Sequence, residues 1–172
     1  MLEIRSKYAL HIEPASVDLR LADEWLWPMP NATILPEDIP MVDLAKPIEH
    51  HATKSRDIIL PPRGFVLGRT MEHIRLDKSI VGWIEGRSSF GRSGVQVENA
   101  GFVDPGFEGT ITLELFNSQS FPVKLYAGTR CCQLVLAHAD GVSKGYHGSY
   151  QGQEGPRGSE IWRSVQEAID LG

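Results

Sequence analysis

Residues 98–117 read ENAGFVDPGFEGTITLELFN, and this stretch decides the fold. Asp104-Pro105-Gly106 is a turn sequence: proline presets one corner's backbone angle and glycine accepts a positive φ at the next. From Gly109 onward the chain alternates. Ile111, Leu113 and Leu115 point one way, while Thr110, Thr112 and Glu114 point the other. A period of two predicts a half-buried strand entered through a tight turn. Glu114 is the anomaly. It faces either solvent, as exposed glutamates commonly do, or a pocket, where burial raises a carboxyl pKa and suits it to proton transfer. Asp104, at the other end of the same unit, is a second carboxylate, and a purely turn-forming role accounts for it equally well. Paired, the two acids suit a site that deprotonates and aims a water.

Outward from this stretch, 17 glycines and 11 prolines cut the chain into short strand-like segments. SIVGWIEGR (79–87), GVQVEN (94–99), FPVKLYAG (121–128) and RCCQLVLAHA (130–139) are each bounded by turn residues. ASVDLRLADEWLW (15–27) alternates Val17, Leu19 and Leu21 against Asp18 and Arg20. DIILPPRGFVLGRTMEHIRL (57–76) forms strands around a Pro-Pro-Arg-Gly turn, whereas LPEDIPMVDLAKPIEHHATKSR (35–56) reads as a loop. The spacing predicts a mainly β fold, an antiparallel barrel or sandwich. Only SEIWRSVQEAIDLG (159–172) is helical in pattern, with Ile161, Val165, Ala168 and Ile169 on one face and Ser159 as the N-cap.

The 172 residues fit a single domain, 1–172, with 141–172 as a tail segment. The net charge of −5 argues against phosphate-backbone binding of nucleic acid, although a local basic pocket is compatible with it. No stretch approaches the ~18–20 apolar residues of a membrane span, and the N-terminus lacks the pattern of a signal peptide. Cys131 and Cys132 are adjacent, which suits neither a disulfide framework nor a Cys-x-x-Cys metal pair. A cytoplasmic location is the simplest expectation.

GRSSFGRSG (86–94) sets Arg87 and Arg92 around Ser88 and Ser89. Guanidinium forks, hydroxyls and backbone N–H groups are the chemistry of phosphate oxygens, although the segment is no Walker loop and an exposed polar turn explains it equally. GYHGSYQGQEG (145–155) carries Tyr146, Tyr150 and Gln153 and reads either as a segment folding over a ligand or as a linker. HIE (11–13) starts like the His-x-Glu of zinc nucleobase deaminases, but no Pro-Cys-x-x-Cys completes it. His50 and His51 are expected in a solvated loop, without metal.

Five blocks, PASVDLRL, LPPRGFVLGRTMEHIRL, EGRSSFGR, NAGFVDPGFEGTITLELFN and QGQEG, occur in this order from about residue 14 to 162. Together they resemble the dCTP deaminase branch of the dUTPase superfamily. The bifunctional dCTP deaminase–dUTPase members are the most similar, through the Asn-Ala-Gly-aromatic-Val-Asp run. The resemblance implies a distorted antiparallel β barrel with a short C-terminal helix, assembled as a homotrimer with sites at subunit interfaces. It makes Glu114 the base and acid of a zinc-free deamination. Asp104 would bind deoxyribose and help to position the water that splits dUTP.

The same resemblance gives Arg87, Ser88, Ser89 and Arg92 the triphosphate, with Mg²⁺ carried by the phosphates. Thr112 and Leu113 would flank the base through their backbones, and Ala100 and Gly101 would line the pocket. Gln133, Tyr146 and Gln153 match ligand-binding positions, the last two in a closing tail. Three departures stand out. Ser149 occupies the place of a usual phosphate-binding lysine, the segment from Gly94 to Ala100 is one residue shorter than in monofunctional deaminases, and the short N-terminal helix of many members is expected to be missing. Three activities follow as expectations: deamination of dCTP, with or without onward hydrolysis to dUMP; dUTP hydrolysis alone; or nucleotide binding without catalysis.

Overall fold

Short alternating segments separated by glycine and proline can bury their apolar faces only by pairing with one another, and they do so here. The computed structural model describes residues 2–33, 40–98 and 101–171. In chain order the strands are β1 (Glu3–Arg5), β2 (His11–Glu13), β3 (Ser16–Arg20), β4 (Glu24–Pro28), β5 (Ala32–Thr33), β6 (Pro40–Met41), β7 (His50–Lys54) and β8 (Asp57–Leu60). β9 (Phe65–Arg75), β10 (Ile80–Gly86), β11 (Val95–Glu98), β12 (Phe102–Val103), β13 (Glu108–Asn117), β14 (Val123–Tyr126) and β15 (Arg130–His138) complete the set. Two helices, α1 (Ser88–Gly91) and α2 (Ile161–Asp170), flank them.

One sheet runs β11-β13-β9-β4-β7 with β1 also on β9, and a second runs β12-β10-β15-β3-β2. The strand pairs are antiparallel, and the two sheets touch at one corner, where Leu21 bridges Thr70 and the Ala22 N–H donates to the Arg69 carbonyl at 2.8 Å. The result is the distorted mainly β architecture expected from the spacing. Trp25, Leu19, Leu21, Ile74, Leu113, Leu115 and Leu134 fill the space between the sheets. Cys131 and Cys132 join them as buried thiols, and the Cys132 thiol is pushed well up by its neighbour Cys131 and by burial.

Four expectations need correction. Residues 15–27 form two strands in different sheets, because the chain turns the corner at Leu21 and Ala22. The proline-rich loop contains β7, whose His50–Lys54 ladder against β4 puts the histidine pair on a sheet edge. In β9, three residues (Thr70, Met71, Glu72) oppose the single Ile111, a bulge closed by the Thr70 hydroxyl accepting from the Ile111 N–H at 3.0 Å. Ile111 therefore packs at the edge of the core and also lines a pocket, rather than sharing the fully buried face of Leu113 and Leu115. The helix pattern is right in extent, but Glu160 takes the cap position and none of the helix's residues is buried.

Candidate active site

The Asp104 turn is built as its sequence requires. The Phe107 N–H donates to the Asp104 carbonyl at 3.1 Å, and Gly106 adopts φ +85° at the corner. A side chain at Gly106 would also collide with Gly145, 2.7 Å from an added Cβ, so the turn admits the tail against its back. The Tyr146 N–H donates to the Pro105 carbonyl at 2.8 Å, and the Tyr146 ring rests on Phe107 at 6.0 Å.

Further along, the tail adds to the start of β13. Gln153 bridges Gly109, its carbonyl accepts from the Thr110 N–H at 2.8 Å, and its amide nitrogen donates to the Thr110 carbonyl. Gly109, at φ +148°, is needed here because an added Cβ would lie 2.8 Å from the Gln153 carbonyl oxygen. Gln153 is 6 % exposed, and its side-chain oxygen is buried without a hydrogen-bond partner. An arrangement that leaves an acceptor unsatisfied beside a cavity is one that a ligand donor can complete.

Between turn, strand and tail lies a cavity of about 480 Å³. Glu114 and Thr112 of β13, Asp104 and Gly101, and Tyr146, Tyr150, Gln153 and Arg157 of the tail line it, along with apolar Phe65, Leu67, Ile84 and Phe107. Glu114 is half-buried in this wall, so of its two readings the structure selects the pocket. A mostly apolar cavity with a few converging polar groups, two of them carboxylates, can bind a flat base and move protons on it.

The other predicted ligand residues lie elsewhere. Arg87 caps the single-turn helix α1, which is pinned by buried Phe90, and Ser88, Ser89 and Arg92 are exposed. Gln133 stands opposite Asp18 on β3 and Glu85 on β10, in the second sheet. None of Arg87, Ser88, Ser89, Arg92 or Gln133 lines the cavity, and Leu113 is buried in the core. Ala100 lies outside the described residues. Two groups of predicted residues therefore stand apart, the carboxylates in the cavity wall and the arginine–serine loop outside it.

Asp18 organises the second. It is fully buried, 2.9 Å from Arg130 and 3.3 Å from Arg87. Read from the sequence as the polar side of a half-buried strand, it is instead a buried carboxylate that holds the Arg87 guanidinium from behind. His11 and Glu13 also approach it, and the ligand atoms of the three lie within 4.8 Å of one another. Two guanidiniums already compensate the Asp18 charge, so this donor set does not fit a divalent cation.

Sequence reasoning missed His50 and Arg157 in the cavity wall, whereas Tyr150, named with the tail, is found there. His50 arrives there because β7 is a strand, and its ring sits where a side chain at Gly158 would be, 2.4 Å from an added Cβ. The QGQEG block pointed to the tail, but Arg157 lies just beyond it and has no local pattern of its own.

The fold is that of a dUTPase-like β protein. Structures with the same fold include the 2'-deoxycytidine 5'-triphosphate deaminase of Agrobacterium tumefaciens (TM-score 0.57, 21% identity). The match covers 77% of this chain and 41% of that one. The native EIAV dUTPase matches with TM-score 0.54 and 18% identity, over 88% of this chain and 99% of that one. The family model for dCTP deaminase-like proteins matches residues 2–139, and the chain belongs to that family. Relatives named "dCTP deaminase, dUMP-forming" include those of Sulfurihydrogenibium sp. (strain YO3AOP1) and Persephonella marina. The first is 46% identical over 94% of this chain and 89% of its own length, the second 44% over 90% and 85%.

Proposed function

We propose that this chain hydrolyses dCTP to dUTP and ammonia and then splits dUTP into dUMP and diphosphate. The observation that carries the reading is Glu114 set in the wall of an enclosed cavity, on the strand that leads out of the Asp104 turn. The kinship with dUMP-forming dCTP deaminases supports both steps.

In the first step Glu114 takes a proton from water as the oxygen attacks C4 of cytosine. It passes that proton to N3, then takes the C4 hydroxyl proton and gives it to the departing amine, so that the C–N bond breaks with loss of ammonia and C4 becomes a carbonyl. Thr112 and Leu113 contact the base through the backbone. The β11 ladder ends at Glu114, which leaves their edge without a strand partner on that side among the described residues. Gly101, in the cavity wall, and Ala100, next to it in the sequence, are assigned to base binding. Asp104 holds the deoxyribose and, in the second step, orients the water that attacks the phosphorus and expels diphosphate. A dUTPase without deamination would use Asp104 but give Glu114 no task.

Arg87, Ser88, Ser89, Arg92 and Gln133 bind the triphosphate. Because their half-site stands apart from the cavity, they serve the cavity of a neighbouring copy in a homotrimer. Mg²⁺ travels with the phosphates and offsets their charge, and no zinc takes part. Residues 1–172 act as one unit in which 141–172 close over the nucleotide through Tyr146 and Gln153. Among the described residues no helix is long and apolar enough to cross a membrane. Free nucleotides as substrates place the protein in the cytoplasm, without nucleic-acid partners.

Anion-exchange analysis after incubation with dCTP, dCMP and dUTP separately, each with Mg²⁺, tests the reading. The expected result is dUMP from both dCTP and dUTP, with ammonia only from dCTP. Consumption of dUTP alone would refute the deaminase role of Glu114.

A further inference from the structure

The cavity that receives the nucleotide is acidic at its centre, with Asp104 and Glu114 both in its wall. A substrate carrying several negative charges needs a compensating cation close to its phosphates, or the two carboxylates repel it. Among the described residues lining the cavity, Arg157 is the one permanently charged cation.

Arg157 is placed by backbone contacts that leave part of its guanidinium uncommitted. Its N–H donates to the Thr112 hydroxyl at 3.1 Å, next to the catalytic strand, and Nη1 donates to the Ser149 carbonyl at 2.8 Å. Nη2 lies 3.7 Å from Glu160, but Arg163 holds the same carboxylate at 3.1 Å. The trio of Arg157, Glu160 and Arg163 therefore retains a net positive charge at the tail side of the cavity. The Arg157 side chain is 44% exposed, enough to meet a ligand anion. Beside it Gly158 gives the His50 ring room, so the residue following Arg157 cannot carry a side chain without displacing a wall of the cavity.

We propose that Arg157 is a substrate-binding residue, the tail's own anchor for the nucleotide's 5'-phosphates, opposing the Arg87 loop supplied by the neighbouring copy. This deepens the proposed function and rests on it for the identity of the nucleotide. A forked guanidinium held at one nitrogen by a carbonyl can still offer its remaining N–H groups to phosphate oxygens. The anion and the Ser149 carbonyl are then gripped by the same side chain.

The test compares affinities for dCTP and deoxycytidine, measured by calorimetry on the full chain and on Arg157→Gln and Arg157→Lys. The expected loss for Arg157→Gln is about 10- to 100-fold for dCTP, the range for one charged hydrogen-bonding partner. For deoxycytidine it is less than about 2-fold, and Arg157→Lys, which keeps the charge but not the fork, recovers only part of the dCTP affinity. Equal losses for both ligands would show that Arg157 only latches the tail, and no loss would show that it meets no phosphate; either overturns the proposal. A wild-type chain that binds dCTP in this pattern but releases no ammonia would refute the deaminase reading and leave Arg157 standing.

Discussion

The strand-and-turn wall around Glu114 and the Arg87–Arg92 segment are both parts of one proposed site, yet they are built on opposite principles. The wall is half-buried, laddered to β9 and β11, and backed by Leu113 and Leu115 at 1 % and 0 % exposure. The loop is a single helical turn whose Ser88, Ser89 and Arg92 stand in solvent, tied down by Phe90, by the Asp18–Arg87 pair and by the Arg87 N–H donating to the Cys131 carbonyl at 3.0 Å. Proton transfer requires an enclosed carboxylate whose position is fixed to fractions of an ångström, and a rigid ladder supplies that. Phosphate recognition requires accessible donors, and in the proposed assembly a neighbouring copy would enclose them.

The largest effect that would sharpen this contrast is at Glu114. Glu114→Gln keeps shape but cannot act as base, so ammonia release from dCTP should fall by about 10²- to 10⁴-fold. The dCTP dissociation constant should move only a few-fold in calorimetry. Undiminished deamination would remove the wall's claim to the chemistry.

Next comes subunit mixing. Glu114→Gln and Arg87→Ala chains, each inactive alone, should regain about a quarter of wild-type turnover when co-refolded in equal amounts, because some interfaces then pair an intact wall with an intact loop. A mixture as inactive as its parents would mean that each chain completes its own site, and the contrast would collapse.

Asp18 tests the tether. Asp18→Asn leaves the Arg130 and Arg87 guanidiniums facing a neutral amide, and urea unfolding should report a loss of about 3 kcal/mol. The KM for dCTP should rise more than kcat falls, since the phosphate half-site is loosened and the proton-transfer wall is untouched. An equal fall in both would assign Asp18 to the fold alone.

The smallest effect concerns the support behind the wall. Arg69, opposite Thr112 in the β9–β13 ladder, is 2.6 Å from Glu24, and the Arg69 guanidinium holds the Glu24 carboxyl below its usual value. A folded pKa below the unfolded one adds stability that is fully present above the unfolded pKa and is lost as pH falls through the folded one. Glu24→Gln should therefore cost under about 1 kcal/mol at pH 7, and the difference from wild type should vanish in unfolding experiments in acid below the folded pKa. A difference that persists in acid would mean that packing, not charge, is lost.

Much of this architecture was legible in the chain. The Asp-Pro-Gly corner, the alternation after Gly109 and the strands bounded by glycine and proline are local signals, and apart from Ile111 they are found where their residues suggest. His50 was misread because its partner strand, Glu24–Pro28, lies more than twenty residues away and nothing near His50 announces a ladder. Asp18 was misread because alternation says which side of a strand a residue is on, but not whether a second layer of charged side chains covers that side. Ile111 followed the alternation until a bulge in a different strand, β9, took it out of register.

By itself the sequence determined the class of fold, the turn that launches β13 and the residue types available for acid–base and phosphate chemistry, because these depend on neighbours a few positions apart. Only the tertiary structure decided that Glu114 faces a cavity, that Arg157 and His50 join it there, and that the arginine–serine loop does not. Those outcomes depend on which distant strands pair and on how the tail docks. The free energy of burial and long-range hydrogen bonding sets them, and no local pattern encodes it.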